Sequence, residues 1–361
     1  MSNVWNFSIF LPMTYFVFLI SLTLYLLPLF YNSVSKNTFF IISLTESFSL
    51  FLLPCFSFLI IFTLWSSYSI SLWFGHVVYT SFQYKITLFI VFTFLLFTFL
   101  YSSVSYLSSR EIFDFLITQF NFLYWTILLF YANSFFTVIF VIEILSTLIF
   151  LLMLTSIFSS CFFYRNLDFS SHSFFESSTP HTFIQSILFF FWVSLLASLN
   201  LFLFIIFLYD KIFSFDWYLI EHIFLYFVSV SSYKDVYTLG ITWLIILFSI
   251  FLKCGIAPFY LWKPTFFKGM SFSALSFYIS FFYFFLFLFI IQFLSSYCYE
   301  LFYFFSFFSL LIIFMGMFVL LFILCETFFI KTFLAVSSIL NSLLVILCIS
   351  VPHVSDLFFI L

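Results

Sequence analysis

Two ionisable residues stand where an apolar chain has no use for them. Glu143 interrupts the run "FFTVIFVIEILSTLIFLL", and Lys253 closes the run that begins at Leu244 and leads into "FLKCGIAPFYLWKPTFFKG". A charge near the centre of a bilayer costs roughly 2.5–3.5 kcal/mol on insertion scales, so each of these residues needs a compensating partner, a cavity or a change of protonation state. An acid and an amine on neighbouring helices can supply all three. Burial and an opposite charge act in contrary directions on such a pair, which leaves a buried amine able to exchange a proton near neutral pH. The chemistry to expect from Glu143 and Lys253 is therefore proton relay, with a static ion pair as the alternative. Glu46 also falls within an apolar run, without a cation nearby in sequence, and reads as a helix-end or packing residue.

Pro258 belongs to the same site. A proline removes a backbone donor and disrupts the turn before it, and an opened helix inside a membrane is tolerated only where protein or a watery cavity lines it. A lysine one turn before such a break matches the discontinuous helices that transporters place at their binding centres. The expectation is that the helix breaks at Pro258 and that the break is a hydrated proton site.

The elements that must position these residues follow from composition. Hydrophobic residues make up 66% of the chain and charged residues 6%, far below the quarter usual in soluble domains, so a water-soluble globule is excluded and a polytopic membrane protein remains. The 72 phenylalanines point to thymine-rich codons and a biased organellar genome. At about 20 apolar residues per span, about ten spans can be read, near 9–30, 39–64, 86–107, 112–132, 134–158, 184–208, 238–258, 272–294, 302–325 and 331–350. The fold class is thus an all-α transmembrane bundle; long continuous runs argue against a barrel. Residues 216–234 show helical spacing bordered by charge and read as an interfacial helix, with an eleventh span as the alternative. Lys36, Arg110, Arg165, Lys263, Lys268 and Lys331 fall in loops on one side, and Lys85, Lys211 and Lys234 on the other. The positive-inside rule then puts the N-terminus outside.

Other chemistries find no support. The start "MSNVWNFSIF" lacks the arginines of a transit peptide and a signal-peptide cleavage site. The six cysteines are scattered singly, so neither an iron–sulfur nor a zinc site is readable. There is no glycine-rich phosphate loop and no basic run, which leaves nucleotide and nucleic-acid binding without a motif.

The stretch "FLKCGIAPFYLWKPTFFKG" resembles the signature FK-x-x-x-x-PFH-x-W-x-P-x-x-Y-x-G of subunit 2 of respiratory complex I, the proton-pumping NADH:ubiquinone oxidoreductase. Lys253, Pro258, Phe259, Trp262, Pro264 and Gly269 match it; Tyr260 and Phe267 replace its histidine and tyrosine. "IKTFLAVSSILNSLLVI" resembles the family's IKR-x-LAYSSI-x-H-x-G through Lys331, Leu334, Ala335, Ser337, Ser338 and Ile339, with Val336 and Asn341 departing. The segment around Glu143 resembles the family's fifth helix. The likeness covers roughly residues 100–350. It implies an antiporter-like membrane-arm subunit in which five-helix units repeat in inverted orientation. The seventh helix is broken and carries the central lysine (here Lys253), modulated by the fifth-helix glutamate (here Glu143). Flavin mononucleotide, iron–sulfur clusters and quinone would sit on other subunits, with no cofactor on this chain. The partners implied are other membrane-arm chains and lipids, in a mitochondrial inner membrane with the N-terminus on the intermembrane-space side.

The departures bear on function. Where the family has a second lysine in its eighth helix, this chain has Tyr283, a neutral donor that does not readily hold a mobile proton. The family pattern has about fourteen helices, and this chain reads as three N-terminal helices (1–108), one complete five-helix unit (109–294) and the opening two helices of a second (295–361). The expectation is a split subunit completed by a separate chain. A non-pumping structural subunit and an independent cation/proton antiporter are the alternatives.

Overall fold

A computed structural model describes residues 70–72, 75–79, 81–102, 109–164, 180–216, 219–220, 222, 226, 233–270, 272–296, 306–325, 327 and 329–349. The first two spans read from the sequence, Glu46, and most of the interfacial segment 216–234 lie outside these residues.

In chain order the elements are a hairpin of β1 (Ile70–Leu72) and β2 (Val77–Tyr79), then α1 (Ser81–Ser102), α2 (Ser109–Tyr131), α3 (Phe135–Tyr164), α4 (Pro180–Ile212), α5 (Tyr233–Cys254) and α6 (Trp262–Gly269). After these come α7 (Phe272–Phe277), a π-helical turn (Tyr278–Tyr283), α8 (Phe284–Ser296), α9 (Ser306–Cys325) and α10 (Ile330–Ile349). The described residues are mostly helical. Phe135–Leu154, Ile184–Asp210, Ala274–Phe293 and Ile330–Leu347 are long and apolar enough to cross a membrane, and Lys85–Phe94, Asn121–Tyr131, Gly240–Cys254 and Leu310–Cys325 are shorter apolar helices.

The described residues fall into two compact units. The first holds the hairpin, α1, α2, α3 from Phe140 onward, α7 and the π turn as far as Phe282. Its hairpin pairs Ile70 with Tyr79, Ser71 with Val78 and Leu72 with Val77, and Gly75 at φ 92° makes the reversal, a conformation glycine adopts freely. The Asn133 backbone N–H donates to His76 carbonyl at 2.8 Å and its side-chain amide to Gly75 carbonyl at 3.0 Å. This docks the turn beside the end of α2. α1 packs on α2, and the Gln83 amide donates to Phe130 carbonyl at 3.0 Å.

The phenylalanine excess forms the core here. Phe94 meets Phe281 edge-on at 5.3 Å, and Phe122 meets Phe277 at 5.4 Å and Phe282 at 5.7 Å. Lipid tails are as apolar as these rings, so burial drives little association and close packing must do it. Edge-to-face ring pairs add about 0.5–1.5 kcal/mol each.

The second unit holds residues 134–139, α4, α5, α6, α8, α9 and α10. Ser134 starts α3: its hydroxyl lies 3.4 Å from the Thr137 backbone N–H and its carbonyl accepts from Val138 N–H, the placement of an N-cap. Phe135 N–H donates to Phe215 carbonyl at 3.0 Å, which ties this start to the segment after α4. α5 and α6 both pack on α4, and α10 packs on α6, α8 and α9. On α4 the face away from this packing is apolar and exposed, through Leu188, Trp192, Leu196 and Leu199. Such a surface is covered by lipid or by another protein.

Candidate functional site

The site is the end of α5 together with residues 255–269. Lys253 lies in the last turn of α5, where a cation meets the negative end of the helix dipole, and its side chain is half-buried. Gly255 comes two residues later with φ 64°. Its N–H donates to Leu252 carbonyl at 3.3 Å, and Ile256 N–H donates to Phe251 carbonyl at 2.9 Å. These two bonds and the left-handed glycine constitute a Schellman cap. The helix therefore ends at Cys254, through glycine chemistry, and not at Pro258 as the proline suggested. Pro258 lies four residues beyond the end, after the helix has already closed, and its ring sits exposed.

Residues 255–261 turn the chain back onto the helix it has just left. Ile256 and Ala257 are fully buried, Phe259 packs edge-on to Phe248 at 4.5 Å, and Phe259 N–H donates to Ile256 carbonyl at 2.8 Å. α6 then starts at Trp262. The Trp262 indole N–H donates to Leu252 carbonyl at 3.1 Å, and Lys263 Nζ donates to Cys254 carbonyl at 3.4 Å. Side chains from the first turn of α6 thus give the Leu252 carbonyl a second donor beside Gly255 N–H and bond the Cys254 carbonyl, as a helix end buried in protein requires. Pro264 is tolerated in that first turn because the N–H it lacks would have had no helical partner.

Lys263 departs from its sequence-based placement. Expected among the loop cations, it is 0% exposed. Its stem lies on Gly255, where a Cβ would come within 3.0 Å of Lys263 Cδ, and its ammonium stands 3.7 Å from the centroid of the Tyr283 ring.

α10 holds the other end of α6. Lys331 Nζ donates to the carbonyls of Met270 at 2.9 Å and Lys268 at 3.4 Å, so this half-buried lysine caps the C-terminus of α6, beside the buried Gly269. The Tyr283 hydroxyl donates to Ser338 carbonyl at 3.3 Å. The Ser337 and Ser338 hydroxyls donate to Leu334 and Ala335 carbonyls within α10. In this geometry the second motif braces the first: Lys331 joins α10 to α6, and the Ser338 backbone carbonyl joins it to Tyr283. The sequence pattern predicts one regular helix over 272–294, whereas a π-helical turn from Tyr278 ends at Tyr283. Such a turn holds an extra residue and shifts the face of everything after it.

Gly316 on α9 is a site residue that sequence reasoning missed. A Cβ there would lie 2.7 Å from Ala257 Cβ, so the glycine lets α9 approach the segment 255–261. A small residue alone in an apolar run is the signal that could have found it. Beside the segment 255–261 a cleft of about 400 Å³ opens among Leu244, Phe248, Phe251, Pro258, Phe259 and Ile312, with Asn200 as its polar residue. The Asn200 amide is turned to Leu196 carbonyl at 3.0 Å.

Glu143 lies in the first unit, half-buried in α3. The Ser146 hydroxyl donates to Glu143 carbonyl at 2.7 Å and lies 3.5 Å from its Oε2. Within the second unit the structure brings together Lys253, Trp262, Pro264, Gly269, Tyr283, Lys331 and Ser338; Glu143 and Lys253 belong to different units.

No protein-family model matches the sequence, and no curated protein sequence matches it. The fold is similar to a chain of respiratory complex I from Thermus thermophilus with bound aureothin. That comparison has a TM-score of 0.59 and 16% identity over 92% of this chain and 64% of that one. It is also similar to a chain of the membrane-bound sulfane sulfur reductase, an archaeal respiratory membrane complex, at a TM-score of 0.62 and 15% identity. That alignment covers 96% of this chain and 52% of the other. The chain therefore spans about half to two thirds of the length of these neighbours. At such low identity the likeness establishes the fold, which this chain shares with a chain of each of these two respiratory complexes.

Proposed function

We propose that this chain is a membrane-arm subunit of a complex I-type respiratory oxidoreductase and contributes to proton translocation coupled to NADH oxidation and ubiquinone reduction. The observation that carries the reading is the end of α5. A lysine stands at the last turn of an apolar helix, a glycine cap closes that helix, and a second short helix restarts with side chains bonded to its terminal carbonyls. In this reading α5 and α6 are the halves of one interrupted span, Lys253 is the proton-holding group, and Glu143 modulates it from α3.

By the sequence resemblance, about ten spans form the bundle, and 1–108, 109–294 and 295–361 are its three parts. The membrane is the mitochondrial inner membrane, with the N-terminus on the intermembrane-space side. Flavin, clusters and quinone belong to other subunits, and the partners are neighbouring membrane-arm chains. The chain itself carries out no redox step.

The test is Lys253→Leu in the assembled complex. The expected outcome is a normal complement of subunits with a fall in protons translocated per NADH oxidised. An isolated chain that exchanges cations for protons, and never copurifies with oxidoreductase subunits, would instead support an independent antiporter.

A specific observation favours a second reading. Tyr283, where the resemblance expects a lysine, has its hydroxyl committed to Ser338 carbonyl, as a structural subunit that no longer conducts would have it. Unchanged pumping stoichiometry in both Lys253→Leu and Glu143→Gln complexes is the result that reading predicts.

A further inference from the structure

Lys263 is an amine fully withdrawn from solvent, and its ammonium meets a backbone carbonyl and a ring face. It bonds the Cys254 carbonyl and stands over the Tyr283 ring at the entry to α8; Lys253 precedes Cys254 on α5, and Lys268 and Lys331 lie at the far end of α6. Cys254 is in electrostatic range of both Lys253 and Lys263. α4 presents Phe190, which packs on Trp262 and Phe266. The surroundings suit both forms of the amine. The carbonyl end of α5 and the negative face of the Tyr283 ring stabilise the ammonium, whereas neutral, apolar packing stabilises the uncharged amine, because a buried charge without a counter-ion is costly.

We propose that Lys263 is a second proton-carrying site at the interruption between α5 and α6, with the Tyr283 ring as its platform and the Cys254 carbonyl as its anchor. It rests on the reading of this chain as a proton-conducting subunit. In the step itself the ammonium gives its proton to a water molecule entering the interruption, and the amine left behind takes a proton from a hydronium on the other side. An N–H bond breaks and an N–H bond forms; nothing is oxidised or reduced.

The test replaces exchange by permanent charge. Lys263→Arg keeps the cation, the carbonyl donor and the ring contact, but a guanidinium does not deprotonate in proteins. In the purified assembled complex, the expected result is a loss of protons translocated per NADH. An arginine variant that pumps as the unaltered complex does across the pH range overturns the proposal and makes Lys263 a fixed structural cation. If the arginine variant does not assemble, Lys263→His supplies an exchangeable proton with a reference pKa of about 6.5. Pumping with its optimum moved to more acidic pH supports the site, and an unmoved pH profile overturns it. If neither variant assembles, the lysine serves folding and the proposal falls. Absence of the chain from the purified oxidoreductase would defeat the underlying functional reading separately, by a different measurement.

Discussion

Glu143 and Lys253 meet the same difficulty, a charge in an apolar run, in two different structural settings. α3 runs through Glu143 without a break, and the Ser146 hydroxyl bonds back to the Glu143 carbonyl and approaches its Oε2. α5 stops one residue after Lys253. The Gly255 and Ile256 N–H groups, the Trp262 indole and the Lys263 ammonium then close over its end. The acid thus rides on an ordinary helix, whereas the lysine rides on an end built to receive it. Substitutions near the lysine should therefore disturb structure far more than substitutions near the acid.

The strongest perturbation should come at Gly316. Any Cβ there meets Ala257 at 2.7 Å in rigid packing, and overpacking of a close-fitted core costs about 1–3 kcal/mol or more. Gly316→Leu should lower the thermal midpoint of the detergent-solubilised complex or prevent incorporation of the chain; full incorporation with an unchanged midpoint would mean that α9 does not rest on the interruption. Gly255→Ala is next. A left-handed residue with a Cβ costs about 1–2 kcal/mol, and the new atom also presses on Lys263 and Trp262. Trp262→Phe keeps the ring packing on Phe190 but removes the indole donor to Leu252, worth about 1 kcal/mol, read as a smaller shift in the same midpoint. Ser146→Ala on α3 should be the mildest, about 0.5 kcal/mol, because the carbonyl it serves sits in an unbroken helix. Equal shifts for Ser146→Ala and Gly255→Ala would erase the contrast between the two settings.

Much of the architecture was legible in the sequence because lipid imposes one rule, continuous apolar runs, and helices α1–α5 and α7–α10 fall where those runs lie. A helix end close to Pro258 was legible too, but its cause was not. Pro258 is the conspicuous breaker, yet Gly255 ends the helix, since a glycine's left-handed cap depends on hydrogen bonds that spacing alone does not reveal. Lys263 was misread for a related reason: charge next to proline looks like a loop, and only the fold of α6 back onto α5 buries it. The hairpin at 70–79 and the π turn ending at Tyr283 gave no periodic signal, the first because its strands are three residues long, the second because a π turn shares the composition of the helix around it. Lys331, Ser337 and Ser338 were found by motif; that Lys331 and the Ser338 carbonyl brace the site from α10, while the Ser337 hydroxyl bonds within it, was visible only in their hydrogen bonds.

Everything proposed for this chain turns on whether Lys253, at the closed end of α5, holds a proton in transit. The number of protons translocated per NADH oxidised decides it, measured on the assembled complex carrying Lys253→Leu in sealed vesicles beside the unaltered complex. We predict a clear fall in that ratio with subunit composition unchanged. A ratio equal to that of the unaltered complex would contradict the assignment.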